Sequence, residues 1–570
     1  MNTTLPALIA LALLLCGCGD APATPIASTQ TAAPTTPWLL DVATEAGVNF
    51  VWQSGHDTEF LMPEIVGGGV AVLDFDNDGD LDVYFVQGGD VAAAWTDRQS
   101  NTARNAMYRN DGDWTFADVT DMTQTGDSGY GMGIAVGDID SDGDPDLYIT
   151  NVGRNTMLRN DNGVFVDITE ESGTGDSGWG ASAAFFDADL DGDLDLYTTN
   201  YLNWTPTTEL TCFSPLGGED YCSPRNYLSP AKDAFYRNRG DGTFDNATVD
   251  AGFDAANGTG LGVVVTDWNA DGHPDIFVAN DGMPDLLWMA NGDGTWTESG
   301  MERGCALDDE GIAKAGMGVD STDIDDDGDM DLIVCNLTGE SDSIFRNDGD
   351  YFVDITGRTG VRASTRHATR FGLGLVDVNN DGLLDLYEAN GAVTRESAAE
   401  GADPYAQQNA LLAGTTSGRF SPVSPRGGTA EPITLTSRGA AFGDLDGDGG
   451  LDIVVINRDE PASVYRNIVS SRGNWVRIEV LDSTGSPAIG ATVHGQLGVR
   501  AIMRPVRRAY SYMASNEATV HIGLGDETEL DQFFVRWPDG SQSKPTNLSS
   551  NRAWTIRHAS GNESPTATGP

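Results

Sequence analysis

The chain has 570 residues, of which 87 are Asp or Glu against 32 Lys or Arg, a formal charge of −55. So acidic a surface repels phosphate backbones and argues against nucleic acid as a partner. The length exceeds what one ordinary core serves, unless a repeat spreads one architecture along the chain.

The N-terminus reads as a targeting segment. Leu5–Leu15 is an apolar run too short to span a bilayer comfortably. Leu15-Cys16-Gly17-Cys18 then resembles a bacterial lipobox, making residues 1–17 a lipoprotein signal peptide and Cys18 the lipid-bearing residue. Met1–Thr4 carries no Lys or Arg, so a plain secretory signal cleaved nearby stays open. Either way the mature chain is expected to be exported; on the lipobox reading it stays in the bacterial cell envelope with a lipid anchor at the outer membrane. Residues 18–37, rich in Ala, Thr and Pro, predict a flexible tether.

Seven nine-residue acidic loops follow, beginning with DFDNDGDLD at Asp74. Oxygen ligands at positions 1, 3, 5 and 9, a backbone carbonyl at 7 and glycine at 6 suit calcium, which takes several oxygens. The first loop offers Asp74, Asp76, Asp78, Asp80 and Asp82; the second Asp138, Asp140, Asp142, Asp144 and Asp146. Asp187, Asp189, Asp191, Asp193 and Asp195 form the third, and Asp267, Asn269, Asp271, His273 and Asp275 the fourth. The fifth has Asp323, Asp325, Asp327, Asp329 and Asp331, and the sixth Asp377, Asn379, Asp381, Leu383 and Asp385. Asp444, Asp446, Asp448, Gly450 and Asp452 make the seventh. The expected cofactor is therefore structural Ca²⁺, up to seven ions, with Asp82 closing its shell in bidentate fashion. Solvated Asp/Gly turns without an ion are the bland alternative, stronger for the fourth and sixth loops because Asn269 and Asn379 each remove a charge. An EF-hand is excluded: position 12 is Phe85, Ile149, Thr198, Val278, Val334, Glu388 and Val455, and strand patterns flank each loop.

A Gly-spaced apolar strand precedes each loop, as in GMGIAVGD at 131–138, and a β-rich run follows, such as LYIT at 147–150. A third segment ends in Arg-Asn in five units (MYRN at 107–110, VYRN at 464–467), and a Gly/Asp turn leads to a fourth strand. Four short strands per unit predict an all-β chain with a seven-bladed β-propeller over residues 38–470. The seventh unit lacks its fourth strand, and Leu40–Thr44 supplies the pattern, latching the ring and covering an open edge.

Two insertions depart from the repeat, Thr205–Lys232 and Arg395–Tyr405, and are the expected recognition loops. Cys212 and Cys222 in the first read as a loop disulfide, with metal ligation the weaker alternative. Cys305 and Cys335 are left open between a second disulfide and two buried thiols. The six histidines form no ligand pair or nucleophile motif. Trp179 and Trp288 fit packing better than a sugar site.

The repeats resemble FG-GAP/VCBS repeats, also found in integrin α-subunits. NWVRIEV from Asn474, PAIGATV at 487–493, YSYMASNEATVHIGLGD at 510–526 and VRWPDG at 535–540 resemble the ASPIC/UnbV domain. Residues 471–558 are thus expected to form a small C-terminal β domain, with a disordered tail at 559–570. The order of the two is similar to the cartilage acidic protein family and its bacterial relatives. That resemblance implies an exported calcium-binding propeller with an adhesive, binding or scaffolding role and a protein or glycan ligand. The alternative is a calcium-dependent envelope enzyme acting on polysaccharide at the mouth of the central channel.

Overall fold

The computed structural model describes residues 36–396 and 403–558 and the backbone of 566–568. Cys18, the leader and the tether to residue 35 lie outside the described residues, as do residues 397–402 of the second insertion. Among the described residues the chain is all-β apart from helices of at most six residues.

The second unit shows the repeat. Gly131–Gly137, Asp146–Asn151, Thr156–Asn160 and Phe165–Asp167 pair antiparallel in that order. Among the described residues six such four-stranded sheets occur, and a seventh extended to five strands, each with one acidic loop between its first and second strands. The first strands touch in cyclic order from Val70–Leu73 round to Ser437–Gly443 and back, which closes a propeller. Close approach of these innermost strands explains the glycine spacing: a β-carbon on Gly133 would collide with the Ala181 carbonyl oxygen, and one on Gly318 with that of Phe371.

Ring closure follows the expected route with a small shift of register. The latch is Leu39–Asp41, with Leu40 opposite Arg466 and Asp41 opposite Tyr465 on the outer strand of the last sheet. Cys212 and Cys222 form the disulfide, while Cys305 and Cys335 are buried free thiols. Trp179 and Trp288 are both buried, so they serve packing.

Beyond residue 470 two further sheets pack through Val476, Ile478, Val493, Phe533 and Leu548. One holds Asn474–Leu481, Val520–Gly525 and Arg552–Arg557; the other holds Thr492–Leu497, Arg500–Pro505, Glu529–Arg536 and Thr546–Ser549. Thr566–Thr568 pairs with Ala553–Thr555, so the tail expected to be disordered carries a short strand.

The loop between Pro505 and Val520 leaves these sheets and enters the propeller axis. Ala514–Ser515 adds a parallel strand to Val70–Ala71 of the first blade. The Met513 amide donates to Ser182 Oγ at 3.1 Å in the third blade, and the Leu373 amide of the sixth donates to Ser511 Oγ at 3.0 Å. Ser511 and Val319 of the fifth blade exchange backbone hydrogen bonds, and Tyr512 stacks edge-on to Phe371 of the sixth. Tyr512 also donates to the Val66 carbonyl at 2.7 Å, where Met62, Ile65 and Val66 enter from the other side. With Tyr512 and Met513 both buried, the channel is a packed core.

Candidate metal centres and the domain seated over them

Each acidic loop is wound by the same hydrogen bonds. In the first, Asp74 accepts from the amides of Asp78 (3.1 Å) and Gly79 (2.9 Å), and Asp78 accepts from the Asp80 amide (2.9 Å). All seven loops repeat this pattern at positions 1 and 5. Position 6 must be glycine because its φ is positive, for example 95° at Gly79 and 99° at Gly192.

The position 9 aspartate works harder than the spacing suggests. Asp82 accepts from Phe75 N at position 2 (3.1 Å) and from Asn110 N on the third strand (2.8 Å). Asp146, Asp195, Asp275, Asp331, Asp385 and Asp452 make the equivalent pair. This residue therefore staples the loop to the sheet, and each oxygen keeps a further lone pair for a cation. The Arg-Asn motif belongs to the same device. Asn160 Nδ2 donates to the Phe75 carbonyl of the preceding blade at 2.8 Å, and Asn110, Asn238, Asn347 and Asn467 each reach the preceding loop likewise at 2.8 to 2.9 Å.

The donor set fits a hard divalent cation in five loops. Asp74/Asp76/Asp78, Asp138/Asp140/Asp146, Asp187/Asp189/Asp195, Asp323/Asp325/Asp331 and Asp444/Asp446/Asp452 each bring three carboxylate oxygens within 4.8 Å of one another. Asp140 Oδ1 is buried without a hydrogen-bond partner, which a cation would supply. Burial first, and repulsion between neighbouring carboxylates second, push Asp82, Asp146 and Asp331 up to about 8, against their backbone donors. Asp74 and Asp187 rise to about 6 through burial, with Asp78 and Asp191 adding repulsion. A cation relieves that cost, so its binding is coupled to the fold. In the fourth and sixth loops the amides of Asn269 and Asn379 donate to Asp271 (2.8 Å) and Asp381 (3.2 Å), neutralising part of the demand from within. The position 7 side chains, Asp80, Asp144, Asp193, His273, Asp329 and Leu383 among them, stand outside these carboxylate groups.

The seventh loop, one of these five, is in addition met by arginines. Arg472 donates to both oxygens of Asp448 at 2.7 Å, and Arg477 lies 3.1 Å from Asp444. Burial works against ionisation of Asp448, but the Arg472 hydrogen bonds and charge hold its carboxyl below the usual range. Gly450 at position 7 leaves the space that the Arg472 guanidinium occupies, since a β-carbon there would displace it. Nearby loops are gripped at position 4, whose φ is positive in every loop. Arg500 Nε donates to Asp326 (2.8 Å), and His521 Nε2 pairs with Asn380 (2.8 Å). The C-terminal sheets thus sit on the acidic-loop face.

On the opposite face the two insertions meet the N-terminal segment. Glu64 is buried, with Oε2 bonded to His56 Nδ1 (2.9 Å) and Tyr221 OH (3.0 Å). Burial raises the Glu64 carboxyl, opposed by His56. Tyr405 OH and the Arg395 amide both donate to Asp220 (2.7 and 2.9 Å), joining the insertions to each other.

These features define an acidic-loop β-propeller with a β domain seated on its loop face. Comparison with known families agrees: the FG-GAP-like repeat family matches residues 74–149, 138–198, 226–278, 267–334 and 323–388. The ASPIC and UnbV domain matches residues 482–563. The chain belongs to the FG-GAP-like repeat family and carries a C-terminal ASPIC and UnbV domain. Cartilage acidic protein 1 of Xenopus tropicalis is 27% identical over 316 residues, 53% of this chain and 45% of that protein. Its Homo sapiens counterpart is 27% identical over 296 residues, 49% of this chain and 41% of that protein. The chain spans less than half the length of these relatives. Among solved structures, an Agrocybe aegerita lectin described for recognition of non-reducing terminal N-acetylglucosamine aligns with 16% identity and a TM-score of 0.35, over 69% of this chain and 86% of its own. YCF48 bound to D1 peptide aligns with 11% identity and a TM-score of 0.38, over 71% and 92%. Scores this low bear on no functional question.

Proposed function

We propose that this protein is an exported, calcium-clipped propeller that binds or scaffolds a partner through the face opposite its acidic loops. The observation carrying this reading is the disulfide-stapled insertion. It exposes Leu210, Phe213, Leu216 and Leu228 to solvent, at 41%, 70%, 54% and 86%. It joins the second and third strands of its blade, which places it across the sheet from the acidic loops. Large apolar side chains held out by a covalent staple suit insertion into another protein's apolar pocket. The surrounding acidity favours a partner with a basic rim.

Calcium is the cation we assign to the loops. Asp74, Asp76 and Asp78 would give side-chain oxygens, Asp80 its carbonyl, and Asp82 its free lone pairs. The first, second, third and fifth loops take ions first, and the fourth and sixth more weakly. In the seventh, the Arg472 guanidinium competes with an ion for Asp448, so that loop fills last. Affinities on the order of 10⁻⁴ to 10⁻³ M are expected of extracellular modules. Export and a lipid anchor on Cys18 at the outer membrane complete the reading, supported by the Cys212–Cys222 disulfide, which suits an oxidising compartment.

The test places a photo-crosslinker at position 213 of the full-length protein in its native envelope. A discrete adduct that disappears in Leu216→Ser/Leu228→Ser supports the reading. Adducts that persist unchanged in that variant, or none at all, contradict it.

A further inference from the structure

We propose that the cleft between the third and fourth acidic loops and the C-terminal sheets is a small-molecule site, and that it takes a neutral, largely apolar molecule with hydroxyl or amino donors. The cleft has a volume of about 410 Å³ and runs into a second of about 480 Å³. They share Asp187, Leu190, Ile489, Trp537 and Pro538. Volumes of roughly 300 to 1,000 Å³ at the junction of two structural parts are where small ligands bind.

Position 4 of the loops supplies the second argument. Its left-handed backbone suits Asn77, Ser141, Asp326, Asn380 and Gly447, but not Leu190 (φ 63°) or Ala270 (φ 55°). Asp326 and Asn380 use this position to bind the C-terminal sheets, as described above. Leu190 and Ala270 instead line the cleft. A leucine held at positive φ is a strained choice, and here it gives the cleft an apolar wall. Ile489, Met503, Val506 and Trp537 form the facing wall.

Charge then selects the ligand. Asp187, Asp267, Asp271 and Asp329 line the rim against Arg507 and Arg536, and Arg507 already faces Asp320. Asp187, Asp267 and Asp271 serve the cations of their own loops, which leaves the Asp329 side chain, outside its loop's carboxylate group, as the acceptor that favours hydroxyl or amino hydrogens. An anion meets this rim and a chain of formal charge −55, and is disfavoured. The site lies on the other face from the recognition insertion and stands or falls separately from it.

N-phenyl-1-naphthylamine, an apolar body with one N–H, is the probe, and 1-anilinonaphthalene-8-sulfonate is its anionic analogue. Both are titrated by fluorescence into the full protein in calcium buffer. The neutral probe is expected to saturate at one per chain and to bind at least about ten-fold tighter than the sulfonate. Leu190→Asn keeps the backbone that Asn77 and Asn380 adopt, so it folds, and it should weaken the probe about ten-fold by removing apolar wall. Gln542→Trp, at an exposed lining residue, should block entry. No saturation, equal or tighter sulfonate binding, or unchanged affinity in either variant would overturn the proposal.

Discussion

Met513→Ala removes the side chain that the C-terminal domain places in the propeller axis. Met513 is 1% exposed, and its backbone contacts with Ser182 and Gly69 remain after truncation. The loss is therefore apolar: about 2 to 5 kcal/mol for a buried Met→Ala change, the upper part applying if the surrounding ring cannot collapse. Collapse is difficult here, because Gly133 lets the Ala181 backbone pack so close that the inner strands have no room to move inward. Urea unfolding followed by tryptophan fluorescence and by far-UV circular dichroism reads the cost. Both signals should shift together, since the axial segment touches the first, third, fifth and sixth blades at once. Val499→Ala, at a site 97% exposed, is the control and should change stability by less than about 0.5 kcal/mol. A loss below about 0.5 kcal/mol for Met513→Ala, or a C-terminal transition that moves while the propeller transition stays fixed, refutes the packed axis.

Asn160→Ala should cost about 1 to 3 kcal/mol by leaving the buried Phe75 carbonyl unpaired, while Asn162→Gly, at an exposed turn position whose positive φ glycine accepts, should not; urea midpoints measure both. Arg472→Gln should free Asp448 and raise the calcium stoichiometry by one in calorimetric titration; an unchanged count would show that the seventh loop takes its ion despite the arginine. The raised carboxyls set a pH dependence for the chelated protein. Asp82, Asp146 and Asp331, at about 8 when folded against 3.8 otherwise, favour the fold when protonated. That stabilisation is full below about 3.8 and lost as pH rises towards about 8, so the chelated protein's melting temperature should fall from pH 5 to pH 8. In excess calcium the ionised loops are the bound form and the fall should vanish; parallel profiles would contradict it.

The repeat was legible because each blade is local. Strand, acidic loop, strand and turn lie within a few tens of residues, and the missing fourth strand of the last unit pointed to Leu40–Thr44, whose first two residues lie in the observed latch Leu39–Asp41. The role of the Arg-Asn motif was not, since Asn160 acts on a carbonyl 85 residues away. Nor was the axial plug: Ser182 and Met513 are 331 residues apart, and 509–517 has neither helical nor strand period. Position 9 was expected to close a calcium shell, yet its first task is to cap backbone amides that the strand pairing leaves unmet. Position 4 carries Asn, Ser, Leu, Ala, Asp and Gly, so composition hid a backbone constraint shared by all seven loops.

The central claim is that divalent ions hold the ring together, and thermal unfolding with and without calcium tests it most directly. Each occupied loop should add about 2.7 kcal/mol when free calcium is about 100 times its dissociation constant. Several such loops predict a large rise in melting temperature that a chelator reverses and magnesium only partly reproduces. Equal melting temperatures in chelator and in excess calcium would contradict the account and leave the acidic loops as turns wound by their own hydrogen bonds.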